Sequence, residues 1–478
     1  MAQQTIPPHV LIFPFPVQGH VTTMLKLSEL FCLAGIHVTY LISTQNYTRL
    51  VRCTNVLSRL SPYPGFRFQV LPESVSDGNA QSMDLVMNLF ESLKTAKTFF
   101  KDLLIGEAQK PVTCIISDGL MSFTLDLGEE IGIPIIYFRT ISSCSFWAYF
   151  CMPKLVEAGE LPLKGDDMDV LIKNVPGMEC FLRQRDLPSL CRVSDLNNST
   201  FTMISSETHQ TVRARALILN TFEDLEGPIL SQIRTEFPNT YTIGPLHAHL
   251  KARLDGKTAS QLASSNSLWE EDKSCIKWLD NQPLKSVVYV SFGSIAMVTR
   301  EQLVEFWHGL VNSGIRFLWV IRPDSVTDEE MGSEIQAELE KATKARGYMV
   351  EWAPQEAVLA HQAVGGFLTH SGWNSTLESI FEGVPMICWP YFADQQINSR
   401  FVGEVWKVGL DIKDTCDRVV IEKAVKDMME VRKEEFVESA DQIAKMARKS
   451  VGEGGSSYCN LNRLIEDIML MTVGGITP

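Results

Sequence analysis

No stretch of this 478-residue chain is apolar for long enough to cross a bilayer. The longest apolar runs, 10–17 and 131–138, are about eight residues long and carry Pro or Gly, whereas a span needs about 20. Positive charge is also scarce. Lys and Arg number 43 against 57 Asp and Glu, a net charge of −14 with no compact basic block. Nucleic-acid binding needs a cationic surface to displace counterions, so that class is excluded. The same balance repels anions at long range, so any phosphate site would need a local device. The first nine residues have neither a basic nor an apolar leader region, so a secretory signal is not expected. The eleven cysteines include no C-x-x-C pair, and Cys144, Cys151, Cys180 and Cys191 have no His at metal-ligand spacing. Reduced thiols in a cytoplasmic protein without a metal centre are the expectation. Neither G-x-G-x-x-G after a strand nor G-x-S-x-G occurs, which argues against a dinucleotide-dependent dehydrogenase and a serine hydrolase.

What is present is a nearly unbroken alternation of short apolar runs with amphipathic stretches. The run 10–15 is followed by Val21, Met24 and Leu25 at helical spacing, then by 36–42; the runs 114–117 and 133–138 flank another such stretch. In the second half, 287–292 precedes Leu303, Phe306, Trp307 and Leu310 on one helical face, followed by strand-like runs at 317–321, 348–350, 364–369 and 385–389. Alternation of this kind predicts α/β architecture with parallel sheets. The pattern fails at 249–275, rich in Lys, Ser, Ala and acid, which reads as a linker between domains at 1–248 and 276–455. A last helix within 456–478 carries Leu461, Leu464, Ile465 and Ile468 on one face and has no following strand. It must pack against one of the domains, with the first as the candidate. The acidic stretch 324–330 reads as a solvated loop.

The residues 352–395 (WAPQEAVLAHQAVGGFLTHSGWNSTLESIFEGVPMICWPYFADQ) carry the densest chemistry. A buried strand at 364–369 turns through His370-Ser371-Gly372 into a helix beginning near Trp373. A helix start presents unpaired N–H groups and about half a positive charge, which is an anion site. Ser371, Asn374 and Ser375 add short polar side chains, and His370 adds a candidate cation. Glu378, one turn in, could accept both hydroxyls of a ribose, and Trp352 offers a flat surface for a base. Taken singly, each of these residues has a simpler reading, since a Trp after a strand usually belongs to a core and a Ser at a helix start is usually a cap.

A second constellation lies near the start. His20 in Gln18-Gly19-His20 opens the first helix after the first strand, and Asp118 in Ser117-Asp118-Gly119 follows a later strand. In a parallel sheet every strand ends at the same edge, where ligands bind, so distant residues can meet there. An alcohol becomes a nucleophile when its proton is removed, and His is suited to that near neutral pH. A carboxylate on the other ring nitrogen would fix the tautomer and stabilise the imidazolium.

The 44-residue stretch resembles, over its whole length and without gaps, the signature of the plant family-1 UDP-sugar-dependent glycosyltransferases. Further likeness lies in Asn220-Thr221-Phe222-Glu223, Ile243-Gly244-Pro245-Leu246, Trp278-Leu279-Asp280 and Ser291-Phe292-Gly293-Ser294, so it spans nearly the whole chain. The resemblance implies a GT-B architecture of two facing Rossmann-like domains, with the acceptor on the first and the UDP-sugar on the second. It implies that Trp352 stacks on uracil beside Ala353 and Gln355, and that Glu378 holds the ribose. It places the diphosphate among Ser294, His370, Gly372, Asn374 and Ser375, and the sugar against Trp373, Asp394, Gln395 and Thr140. A closing Gln in this family tends to accompany glucose where His tends to accompany galactose, which leaves xylose and galactose open as donors. His20 and Asp118 match the family's base and orienting acid, for a one-step inverting transfer to a hydroxyl (or carboxyl) that needs no metal and no cofactor beyond UDP-glucose as co-substrate. The literal D-x-D at Asp167 and Asp169 reads as a loop.

For the acceptor, Phe15, Phe90, Phe146 and Trp147 suggest an apolar pocket built from loops of the first domain, around 84–90, 138–150 and 183–190. Arg139 or Arg183 could meet a carboxylate. The chain is most similar to the plant subgroup that glucosylates iridoids such as 7-deoxyloganetic acid, whose close relatives accept flavonoids, other phenols and other terpenoids. A monomer acting on small molecules is expected. The rival from another class is a UDP-sugar- or metabolite-binding protein without turnover, against which the retention of both His20 and Asp118 speaks.

Overall fold

The computed structural model describes residues 7–72, 89–90, 92–93, 97–106, 111–254, 266–323, 325 and 346–473. The expected loop at 84–88, most of the acidic stretch 324–330 and the part of the linker at 255–265 lie outside them. Two compact units form, each around a fully parallel sheet. One contains Met1–Pro162, Val193–Trp269 and Lys449–Pro478, and the other Leu163–Arg192 and Glu270–Arg448.

The first sheet runs in the order β3-β2-β1-β4-β5-β6-β7. Its strands are β1 (His9–Phe13), β2 (His37–Ile42), β3 (Phe66–Val70), β4 (Cys114–Asp118), β5 (Ile135–Arg139), β6 (Ala216–Leu219) and β7 (Thr240–Thr242). All five residues of β1, β4 and β5 are buried, as expected of strands covered on both faces by helices. The chain winds outward from β1 to β3, then restarts at β4 on the other side of β1. That reversal makes the C-terminal ends of β1 and β4 a topological switch point, the place where open α/β sheets bind ligands.

The second sheet repeats the plan as β10-β9-β8-β11-β12-β13. Its strands are β8 (Val287–Ser291), β9 (Arg316–Val320), β10 (Gly347–Val350), β11 (Val364–Thr369), β12 (Met386–Cys388) and β13 (Gly409–Asp411). Its switch point lies between β8 and β11, where Ser291 pairs with Thr369. Gly366 on β11 permits close packing, since a Cβ there would meet the Met428 sulfur at 2.8 Å.

Two boundaries differ from those drawn on composition. The 249–275 stretch begins inside a helix, Leu246–Arg253, and Leu268 is buried in the first core, so the first unit extends to Trp269. Leu163–Arg192 belongs to the second unit, although its polar composition and central position place it with the first in sequence. The terminal helix Ser456–Val473 packs into the first core through Leu461, Leu464, Ile465 and Ile468. It also covers the edge strand β7: Arg463 Nη2 donates to Thr240 O (2.8 Å), Asn460 Nδ2 to Thr242 Oγ1 (2.8 Å), and Tyr241 OH to Asp467 Oδ2 (2.5 Å). A covered edge cannot template unwanted strand pairing. No helix among the described residues is long and apolar enough to cross a membrane.

Candidate functional site

At the switch point of the first sheet, Phe13 and Ser117 are register partners. The next residue, Asp118, therefore ends β4 opposite the loop that leads from β1 into the helix Gln18–Leu33. His20 lies in the first turn of that helix, and its Nδ1 is 2.5 Å from Asp118 Oδ2. A carboxylate only accepts hydrogen bonds, so Nδ1 carries the proton and Nε2 keeps the lone pair. Asp118 is 1% exposed and the His20 side chain 18% exposed, so the acid is sheltered while the imidazole is reachable. The second carboxylate oxygen accepts from Leu120 N (3.2 Å), which fixes the acid's rotation.

Two neighbours at the end of β5, Arg139 and the next residue Thr140, adjoin this pair. Arg139 is buried and donates from Nη1 to Gly119 O, with its guanidinium 5.3 Å from the Phe146 ring centroid. A Cβ on residue 119 would lie 2.3 Å from Arg139 Cδ, so the turn after Asp118 requires glycine. Thr140, which the resemblance assigned to the sugar, sits with its hydroxyl 2.9 Å from His20 Nδ1 and 3.3 Å from Nε2.

The four aromatics expected around the acceptor separate into two groups. Phe15 lies beside His20 (ring centroids 5.7 Å), and Phe90 packs behind it (5.2 Å). Phe146 and Trp147 instead join Phe150, and Phe146 and Phe150 also meet Phe237, in a buried cluster of the helix layer. Arg183, a candidate for a ligand carboxylate, is already engaged. It forks onto Asp186 (2.8 and 2.9 Å) and reaches Asp169 (2.9 Å), in the second unit. Asp169 of the D-x-D is thereby committed to Arg183 and Arg185.

The second unit brings together most of the residues of 352–395. Gln355 Nε2 donates to Ser375 Oγ (2.9 Å) and Glu378 Oε2 (2.7 Å), while its Oε1 accepts from Tyr289 OH (3.3 Å). Glu378 and Trp352 are half-buried, and Ala353 is buried beside Trp352. The helix Trp373–Glu382 begins at Gly372, with no side chain capping it and no acid in its first turn. Trp373, Asn374 and Ser375 form its first turn, the part of a helix whose N–H groups and partial positive charge suit an anion. The Trp373 side chain is buried toward Trp406 (6.2 Å between rings).

His370 sits between two glycines. A Cβ on Gly293 or on Gly372 would each come within 2.5 Å of its ring. Gly293, with φ +75, and Ser294 form the turn after β8, so the switch-point pairing of β8 with β11 is what brings this turn, through Gly293, to His370. Burial pushes the His370 pKa down to about 4, opposed by the Ser291 backbone carbonyl and assisted by Arg322. The imidazole is neutral at physiological pH. It offers a hydrogen-bond donor and not the cation that its position in the sequence suggested, because the sequence does not reveal the depth of burial.

Asp394 and Gln395 follow β12. Gln395 Oε1 accepts from Tyr391 N (2.7 Å) and Phe392 N (2.9 Å), which fixes the orientation of its amide. Asn398, which sequence reading missed, donates to Asp394 Oδ2 (2.8 Å) and to Ser371 O (3.0 Å), joining the two loops. Its spacing of four from Asp394 on a helix was the available signal.

Residues 208–445 match the family model described as "UDP-glucoronosyl and UDP-glucosyl transferase". The chain is 58% identical to a 7-deoxyloganetic acid glucosyl transferase of Catharanthus roseus, over 99% of this chain and all of that protein. It is 45% identical to a myricetin 3-O-rhamnoside 1,2-glucosyltransferase of Crocosmia x crocosmiiflora, over 99% of this chain and 98% of that one. Among solved structures, Os79 of O. sativa in complex with UDP is similar at a TM-score of 0.79 and 28% identity, covering 96% of this chain and 100% of that one. A Phytolacca americana glycosyltransferase complexed with UDP-2-fluoro-glucose and pterostilbene gives 0.78 and 26%, covering 96% and 99%. With two parallel-sheet Rossmann-like units of the GT-B kind, and relatives matched from end to end, the chain belongs to the UDP-dependent glycosyltransferase family and is a glycosyltransferase.

Proposed function

We propose that the protein transfers glucose from UDP-glucose to an oxygen of an iridoid acid of the 7-deoxyloganetic type, with inversion. The observation that carries the chemistry is the His20–Asp118 contact at a sheet switch point. His20 Nε2 takes the proton of the acceptor hydroxyl, and the oxygen attacks the anomeric carbon. The bond to the diphosphate oxygen breaks, and UDP leaves with the bonding pair. Asp118 stabilises the imidazolium that results. On the nucleotide side, Trp352 carries the uracil, Glu378 the ribose hydroxyls, and Ser294, Asn374, Ser375 and the neutral His370 donate to the diphosphate. The first-turn amides meet the charge that grows on the leaving group, a role that calls for no metal. Asp394 accepts from, and Gln395 donates to, the glucose hydroxyls.

The identity to the Catharanthus relative along the full chain supports the iridoid acceptor. Phe15 beside His20, with Phe90 packed behind it, supports an apolar one. All eleven cysteines are unpaired, which supports a reducing, cytoplasmic setting, and we take the working unit to be a monomer. The test is UDP release and product analysis with 7-deoxyloganetic acid, a flavonol and a phenol under competition, each with UDP-glucose and UDP-galactose. Preferred consumption of the iridoid acid and UDP-glucose, giving a β-glucoside, is expected. A preference for the phenolic acceptors, or a retained α-anomer, contradicts the reading.

A further inference from the structure

Ala393 immediately precedes the pair Asp394–Gln395 and has φ +54, in the left-handed region that a residue with a Cβ adopts only at a steric cost. Its backbone is clamped on both sides by one residue. Ala393 N donates to Ser189 Oγ (2.7 Å), and Ser189 N donates to Ala393 O (3.0 Å). Ser189 lies 204 positions earlier, in the Leu163–Arg192 segment that is built into the second unit.

That segment is itself firmly held. Asp186, fully buried, accepts from Arg183 and from Lys413 Nζ (2.6 Å), and Arg400 Nε lies 3.4 Å away. Burial pushes the Asp186 carboxyl up, but the Arg183 and Lys413 contacts outweigh it and hold the pKa below the usual carboxylate range. Lys413 Nζ also donates to Gln396 O (3.0 Å), and Arg400 Nε to Phe181 O (3.1 Å). The loop that carries Asp394 and Gln395 is thus tied to this strap at Ala393, Gln396 and Arg400.

We propose that Ser189 is a positioning residue for donor-sugar recognition: by pinning Ala393 in its left-handed conformation it sets the direction in which Asp394 and Gln395 leave the loop. The inference rests on the assignment of Asp394 and Gln395 to the sugar, and it extends the donor site to a residue that never touches the ligand. Ser189 acts on the glucose end of the donor and leaves the nucleotide end unaffected, since Trp352, Gln355 and Glu378 sit on other elements. Released from Ser189, Ala393 relaxes toward ordinary backbone angles and the pair turns away from the sugar.

The test is calorimetric titration of the full-length protein with UDP and with UDP-glucose, without acceptor. Ser189→Ala is expected to weaken UDP-glucose binding about five- to tenfold, the loss of one hydrogen bond, while UDP affinity stays within about twofold. Ser189→Thr, which keeps the hydroxyl, retains the wild-type ratio. Ser189→Cys offers sulfur, a weak acceptor, and gives the same direction as alanine should that variant fail to fold. Equal effects on both ligands, or none, overturn the proposal. Gln395→Ala separates the two claims. If it shifts the UDP-glucose/UDP ratio and Ser189→Ala does not, the positioning role alone is wrong. If Gln395→Ala leaves the ratio unchanged, the sugar assignment fails and the positioning role falls with it.

Discussion

His20 and Asp118, 98 residues apart in the chain, meet at 2.5 Å because the strands that precede them are register neighbours. The same topology places Ser291 opposite Thr369 in the second sheet, and with it the Gly293-Ser294 turn beside His370. Each unit thus gathers its chemistry at the one sheet position where the winding direction reverses. The proposed acid–base pair belongs to the first unit and the residues proposed to contact the nucleotide belong to the second.

The turn at Gly293 is expected to tolerate no side chain. Gly293→Ala places a Cβ within 2.5 Å of the His370 ring and forces alanine to φ +75. Strain and displacement together cost about 1–3 kcal/mol, read as UDP affinity about ten- to a hundredfold weaker and a lower melting temperature. The His20–Asp118 geometry belongs to the other unit and is not disturbed. Wild-type UDP binding in the variant would contradict the assignment of this turn to the diphosphate.

His370 is neutral from about pH 5 upward, because burial holds its pKa near about 4. UDP-glucose affinity is therefore expected to show no step from His370 between pH 5.5 and 8. His370→Gln, which retains a donor, should weaken binding less than His370→Phe. A loss of affinity centred near about pH 6.5 and abolished by His370→Gln would restore the cationic reading.

His249 carries the clearest signal for stability against pH. It is fully buried in the helix Leu246–Arg253, and neither ring nitrogen has a hydrogen-bond partner among the described residues. Burial, then the charges of Arg253 and His247, lower its pKa from 6.5 to about 3. The unfolded chain takes up that proton first as pH falls, so stability is complete above pH 6.5 and is lost progressively toward pH 3. His249→Leu removes both the unpaired nitrogens and this linkage. The variant is expected to melt higher, with the gain larger at pH 5 than at pH 7.5. A gain independent of pH would show that the imidazole is not held neutral.

Much of this was legible in the chain because buried parallel strands leave uninterrupted apolar runs, as in β1, β4 and β11. β3, with the sequence FRFQV, alternates as an edge strand does, and β7 and β13 have only three residues each, so none leaves such a run. The contiguous signature at 352–395 singled out the residues proposed for the nucleotide, among which Gln355 pairs with Ser375 and Glu378. The Ser189–Ala393 clamp had no signature, since its partners are a polar loop and a backbone conformation. Composition also gave no means to separate Phe15, beside His20, and Phe90 behind it from Phe146 and Trp147, which fill the helix layer. Aromatic residues in a core and around a ligand look alike until packing distinguishes them.

The most direct measurement compares turnover and nucleotide binding in His20→Ala, with Asp118→Asn alongside. Asparagine can donate to Nδ1 and so favours the wrong tautomer. Both variants are expected to lose about 10²–10⁴ in kcat while binding UDP as the wild type does. Full turnover by His20→Ala, with UDP binding intact, would contradict the role of His20 as the base that activates the acceptor.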